Sequence, residues 1–461
     1  MSTEPENVGA EPESDAGREE EVAPQFEGGA EGLGEARVTE RLVGLFRNPK
    51  VRQRVLAPMS FDAAILATNL ATGIIVARAL GPTGRGELAA TLLVAQIAAW
   101  LFSMGSSEAI SYFQARRPED GPRLLSSWLL VTLPLSIVGI ALTELLLPVV
   151  FAAQTDSAID LARIYLAVIP IIAYQQIFSG MLLGDHDFFY YNVTRFLYPA
   201  LAAVIYAACL FFDAFSVEWA LIANGAAMAV ALAISVYRSL RHHGLARPDK
   251  ALLRHTFKYG VKAHAGSTAG LVNARLDLIV IPAFLTAASV GLYSIATNVT
   301  SIITTLTGTV ALMALPIAAR EQGAPRPILI TLQTAMGISL ALAVPLAVLA
   351  PFLLGLVYGS DFESAATALR LLLPGAVLGA GVNVLAAGLL AANRPLTVSV
   401  AAGLAAVLTI VGLIVFLPIG GIVAAAIVTS VVYVVEFVVM AELYRRSVGI
   451  GWVHFFRVPA A

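Results

Sequence analysis

Residues 275–296 read RLDLIVIPAFLTAASVGLYSIA. A charged pair, Arg275 and Asp277, leads directly into an apolar run. Four small or polar residues, Thr286 to Ser289, interrupt it before Gly291 and Tyr293 open the next run. An ordinary soluble helix has no use for such a run, and a membrane helix carries Arg and Asp only for a reason. Charges at membrane depth cost about 2.5–3.5 kcal/mol each on insertion scales, so they face a partner or a watery cavity.

The rest of the chain agrees with a membrane setting. Of its 461 residues 58% are hydrophobic and only 13% charged, and mean hydropathy is +0.80. Soluble domains carry about 25% charged residues. Apolar runs of about eighteen residues or more recur, each long enough to cross the hydrocarbon core as a helix. A β-barrel would show short alternating segments instead. The expected fold is therefore an all-α integral membrane protein. Cys209, the single cysteine, lies in an apolar run, and no CxxC pair or Cys/His cluster occurs, so neither a metal nor a cofactor is expected. The stretch GPTGRGE at 81–87 lacks the Lys-Ser/Thr ending of a phosphate loop. With no ATP-binding motif, the driving force is expected to be an ion gradient, the membrane potential or substrate flux.

Residues 1–40 hold twelve acidic residues and two arginines, a net −10, against +8 for the remainder. Such a segment cannot bury enough apolar surface to offset ordering entropy and is expected to be a disordered acidic tail. It shows no basic segment followed by an apolar core, so no cleavable signal peptide is expected. Residues 41–56 read as an interfacial helix with basic and apolar residues interleaved. Twelve spans are expected, near 58–80, 87–112, 125–151, 160–183, 194–213, 216–238, 263–284, 290–317, 327–351, 364–391, 397–417 and 420–443. Loops after even-numbered spans carry the Lys and Arg residues; the opposite loops carry Asp156, Asp213, Glu218, Asp361 and Glu363. This bias predicts both termini in the cytoplasm.

A basic block, Arg238 to Lys262, divides the chain into lobes of six spans, 57–240 and 263–446, joined by a linker helix at 241–262 and followed by a cytoplasmic tail at 447–461. Basic residues belong at a membrane face, so nucleic acid is not the expected partner. The block's histidines show no ligand spacing and read as surface residues. The lobes resemble each other. Gly86 and Gly291, 205 residues apart, each open a span. SGMLLGD at 179–185 and AGLLAAN at 387–393 each close one, their Gly180 and Gly388 standing 208 residues apart. Six spans is an even number, so the copies run in the same direction, related by a pseudo-two-fold axis along the membrane normal.

The segments ARALGPTGRGELA (77–89), SGMLLGDHDFFYYN (179–192) and 275–296 resemble those of the polysaccharide-transporter family, which includes the O-antigen and repeat-unit flippases. It is a branch of the multidrug/oligosaccharidyl-lipid/polysaccharide exporter superfamily. The resemblance covers Leu45 to Arg446 and leaves the acidic tail aside. It implies a V-shaped, two-lobed bundle in the bacterial inner membrane, moving undecaprenyl-pyrophosphate-linked oligosaccharide between leaflets. It also implies a lipid-linked oligosaccharide substrate, membrane lipids and polysaccharide polymerase machinery as partners. Family members often have fourteen spans; this chain has twelve.

A carrier of pyrophosphate and sugar hydroxyls needs a polar, cationic cleft. Arg275, Asn273 and Asp277, early in the seventh span, are the leading substrate-binding candidates, with Arg78, Asn69 and Asn298 beside them. Helical spacing puts Asn273 and Asp277 on one face, with Arg275 pointing elsewhere unless its long side chain wraps around. Arg85 reads as part of an outer turn. Glu108 and Glu144 are the ion-coupling candidates, with Glu436 a further buried acid. Two alternatives share the superfamily, a cation-coupled multidrug or metabolite antiporter and a peptidoglycan-precursor (lipid II) flippase. The second is expected to show an arginine–aspartate pair near the first span, and none is found. A membrane enzyme is not expected, because every outer loop is short and no catalytic constellation shares a face.

Overall fold

Lipid offers no hydrogen-bond partners to a backbone, so a chain this apolar satisfies its amides internally, as helices. The computed structural model describes residues 49–320, 325–392 and 394–456, and of 49–59, 265–274, 309–320, 395, 454 and 456 the backbone only. No strand occurs among the described residues. The helices in chain order are α1 (Pro49–Phe102), α2 (Ser106–Arg116), α3 (Gly121–Val150), α4 (Asp156–Tyr165), α5 (Ile169–Gly184), α6 (Phe188–Phe211) and α7 (Val217–His243). They continue as α8 (Lys250–Phe284), α9 (Ala287–Arg320), α10 (Pro325–Tyr358), α11 (Ala366–Ala391), α12 (Pro395–Val448) and the short α13 (Val453–Phe456). The described residues from Arg52 onward form one compact unit.

Eight helical segments are long and apolar enough to cross a membrane. Two of them are double passes, because glycines with positive φ break α1 at Gly81 (φ 65°) and α12 at Gly421 (φ 55°). Only glycine takes this conformation without strain. Counting α8 and α9 as one pass each, the described residues make twelve passes. Hydroxyl side chains within passes bond back to the carbonyl one turn earlier, as Thr300 does to Ala296 at 2.6 Å and Thr307 to Ile303 at 2.8 Å.

The second pass departs from the sequence reading. A single span over 87–112 was expected, but the helix stops at Phe102 and restarts at Ser106 through Met104 (φ 50°) and Gly105 (φ 73°). The cause lies far away in sequence. Gly105 abuts the backbone of Gly260 in α8, leaving no space for a side chain there. Half of the segment expected as an interfacial helix, 41–48, lies outside the described residues; from Pro49 onward it is continuous with the first pass. The basic block is split. Its start ends α7, Gly244 (φ 68°) turns the chain, and its remainder opens α8, capped by Asp249 accepting from the amides of Ala251 and Leu252 at 2.8 and 3.0 Å.

The lobes meet about a pseudo-axis marked by the two glycines singled out above. A Cβ on Gly86 would strike the carbonyl of Ala287, and one on Gly291 the carbonyl of Pro82; the two glycines face each other directly. At this end of the bundle, opposite the basic loops, one apolar cluster joins both lobes, including Ala77, Leu147 and Phe151 with Leu354, Tyr358 and Phe362. Gln154 Nε2 bridges the lobes as well, donating to the carbonyls of Pro282 at 2.9 Å and Leu285 at 2.7 Å. At the basic end the clusters are separate. One packs Trp128, Ile177 and Met181 against Leu252, Phe257 and Tyr259 of α8; the other lies wholly in the C-terminal lobe around Ile328, Leu385 and Tyr444. Thus α8 starts on the N-terminal lobe, where Trp128 Nε1 donates to Thr256 Oγ1 at 3.2 Å, and ends in the C-terminal lobe with Leu278 and Ile281.

Candidate substrate cavity

Two cavities adjoin, and Arg275 and Leu278 line both. The larger, about 480 Å³, lies inside the C-terminal lobe among α8, α9, α11 and α12. Arg275, Asp277 and Glu436 are its charged residues; Asn383, Tyr433 and a row of hydroxyls at Thr297, Thr300, Ser301 and Thr304 supply neutral polar groups. The hydroxyl row follows from spacing, since residues three and four apart share a helix face. Two buried side chains shape the wall. The Tyr293 hydroxyl donates to Asp277 Oδ2 at 2.7 Å, and Asp277 Oδ1 accepts from the amide of Leu278 at 2.8 Å. Tyr293 also lies 3.3 Å from the Thr429 hydroxyl, tying α8 to α12. Gly375 and Gly379 let α11 approach Ser430 and Tyr433 of α12, which is packing, as the small-residue spacing suggests.

The smaller cavity, about 170 Å³, lies between the lobes. The N-terminal lobe contributes Arg85 and Gln96; α8 and α9 contribute Arg275, Ser294 and Asn298. Two guanidinium groups thus converge on one space with amide and hydroxyl donors around them. Arg85 Nε is buried and has no hydrogen-bond partner among the described residues. Arg275 belongs to none of the ion pairs found among them. Such a space can hold an anion carrying several negative oxygens, because planar guanidinium forks match phosphate geometry.

Of the residues expected from sequence, Arg275 and Asp277 share the larger cavity despite their spacing on the helix, and Asn298 lines the smaller one. The side chain of Asn273 lies outside the described residues. Asn69 is exposed and lines neither cavity. Arg78 sits at the end opposite the basic loops. Its Nε donates to the Val357 carbonyl at 2.9 Å, and a second guanidinium nitrogen donates to that of Leu356. These carbonyls end α10, where a cation is favoured by the helix dipole, so Arg78 fastens one lobe to the other. Glu144 pairs with Arg163 at 2.5 Å, and Glu108 lies 3.8 Å from His264 Nδ1, both away from the cavities. Arg85 corrects the sequence reading. The helix resumes directly after Gly81, so Arg85 stands within the second pass and not in an outer turn. The run of glycines around it hid that; its one signal was a charge three residues before the apolar stretch of Leu88 to Ala95.

Residues 64–322 match the family model described as polysaccharide biosynthesis protein. No curated protein matches the chain in sequence. Among solved structures, lipid II flippase MurJ in an inward closed conformation superposes with a TM-score of 0.73 at 16% identity, covering 87% of this chain and 90% of that one. An inward-facing multidrug resistance MATE family transporter of the MOP superfamily gives 0.67 at 19% identity, over 83% and 95%. A MOP superfamily transporter from Pyrococcus furiosus gives 0.54 at 18%, over 88% and 98%. At these identities the likeness is one of fold, a multi-pass helical bundle.

Proposed function

The chain belongs to the polysaccharide biosynthesis protein family, and on that premise we propose that it is a flippase for lipid-linked oligosaccharide. It carries undecaprenyl-pyrophosphate-linked repeat units from the inner to the outer leaflet for cell-surface polysaccharide export, by alternating access. One observation carries the reading: Arg85 and Arg275, from different lobes, line the same cavity. Each charge-assisted hydrogen bond to a pyrophosphate oxygen contributes about 1.5–3 kcal/mol, and only a cationic site offsets the loss of water around that group. Sugar hydroxyls then face the Thr and Ser row of the C-terminal lobe, while the polyprenyl tail stays in lipid. That MurJ is named for a lipid-linked cargo supports the same class of substrate.

In this reading the basic end is cytoplasmic, the membrane is the bacterial plasma membrane, and the two six-pass lobes rock about Gly86 and Gly291. Arg78 and Gln154 hold the outer side shut until cargo loads. Polysaccharide polymerase machinery receives the product. The coupling acids are Asp277 and Glu436, which face the larger cavity, rather than Glu108 and Glu144.

Mass spectrometry of lipid-linked glycans in host cells with and without the gene tests the proposal. Accumulation of undecaprenyl-pyrophosphate oligosaccharide on deletion, cleared by the wild type but not by a folded Arg275→Ala variant, is the expected result. Accumulation of peptidoglycan precursor instead would move the cargo to lipid II. The two cavity acids favour a second reading, a cation-coupled antiporter; an unchanged lipid pool with raised sensitivity to cationic drugs would select it.

A further inference from the structure

We propose that the basic end of the N-terminal lobe carries a divalent transition-metal site, of the kind that takes Zn²⁺, built from Asp185, His242 and His243. The three residues come from two helix ends. Asp185 follows α5, and the two histidines are the last residues of α7 before Gly244 turns the chain. One carboxylate oxygen and one nitrogen from each ring lie within 4.8 Å of one another.

Proton bookkeeping points to a cation. His243 Nε2 lies 2.7 Å from Asp185 Oδ2 and 3.2 Å from His242 Nδ1. If Nε2 spends its single proton on the carboxylate, the contact with His242 Nδ1 is at best the weaker arm of a shared donor. If it keeps the lone pair, it faces a carboxylate that has no proton to give. One central ion satisfies all three atoms as lone-pair donors. Ligands at about 2.0–2.1 Å around a tetrahedral Zn²⁺ stand roughly 3.3 Å apart, close to the separation of the two imidazoles. The carboxylate contact, at 2.7 Å, has to lengthen by about 0.6 Å. Imidazole and carboxylate donors suit this class of metal.

The surroundings fit as well. Gln114 Nε2 donates to the other carboxylate oxygen of Asp185 at 2.8 Å, an outer contact of the sort that orients a ligating carboxylate. The side chains of His243 and Asp185 are only 7% and 13% exposed, whereas His242 is exposed, leaving a way in for an ion and for a fourth ligand from water. A bound ion would pin α2, α5 and α7 together where the N-terminal lobe meets the start of α8, away from the cavity of the transport reading.

The test uses full-length protein in lipid nanodiscs, its purification tag removed, stripped with a chelator and titrated with Zn²⁺ against a chromophoric competitor. One equivalent of tight binding is expected, with a rise in unfolding temperature. His242→Ala, which changes an exposed residue and so keeps the fold, should weaken binding by more than about a hundredfold, since outer contacts alone carry 10–100-fold. Gln114→Ala should weaken it by about tenfold. No binding by the stripped wild type, or equal binding by the wild type and by His242→Ala and Asp185→Asn, would overturn the site.

Discussion

The two lobes correspond across Gly86 and Gly291, yet they carry charge at different places. Shifted by the 205 residues that separate those glycines, Arg85 corresponds to Val290 and Arg275 to Leu70. The hydroxyl row of α9, at Thr297, Thr300, Ser301 and Thr304, corresponds to Leu92, Ala95, Gln96 and Ala99. Ala95 and Ala99 are fully buried in apolar core, and of these four positions only Gln96 is polar, lining the smaller cavity. Each lobe therefore supplies one arginine where its counterpart has an aliphatic residue, and the lobe interface unites them. At the corresponding depth the C-terminal lobe is hollow and polar. On the proposed reading, a duplicated scaffold serves as a one-sided site for an asymmetric cargo with a charged head and a sugar chain.

The axis offers the largest effect. Gly86→Val or Gly291→Val forces a side chain into facing backbone that cannot move aside, and should destabilise by about 3 kcal/mol or more in detergent unfolding. Gly73→Ala and Gly403→Ala, which meet nothing within 4 Å, should leave unfolding unchanged. Equal tolerance at all four positions would remove the axis from the comparison.

Next come the arginines. Arg85→Ala and Arg275→Ala should each reduce export by about 10–100-fold without loss of folded protein, measured as lipid-linked glycan cleared per cell. The Lys variants should recover only part, because an ammonium cannot fork onto two oxygens. Exchanging Arg85→Val with Val290→Arg moves a cation across the axis within the same cavity and should restore activity above that of Arg85→Val alone. Failure of that rescue would mean that the lobes are not interchangeable at this point.

Smaller effects separate the acids. Asp277→Asn, which can still accept from Tyr293, and Glu436→Gln should reduce the dependence of transport on an ion gradient. Glu144→Gln breaks a partly exposed ion pair with Arg163, worth at most about 1 kcal/mol, and should change neither transport nor unfolding beyond that.

The apolar runs and the loop charges were enough to read the fold, since each pass is a local property of some twenty residues. The duplication was legible from Gly86 and Gly291 because close approach at an axis admits only glycine. What escaped depended on distant partners. The break at Met104–Gly105 exists because of Gly260, about 155 residues later. Arg85 was hidden by glycines that serve the kink and the axis rather than a loop. Glu108 and Glu144 read as buried acids, but His264 and Arg163 draw them away from the cavities, and no spacing announces such pairs. His242 and His243 lack their third neighbour until the fold brings Asp185 beside them.

The central claim is that two arginines from different lobes hold one pyrophosphate. Its most direct test is the affinity of the purified protein in nanodiscs for undecaprenyl pyrophosphate and for undecaprenyl monophosphate. It would be measured for the wild type, Arg85→Ala, Arg275→Ala and the double variant. The expected result is a wild-type preference for the pyrophosphate that each single change weakens, with the second change costing less once the first is made. Equal affinity for both lipids in all four proteins would contradict it.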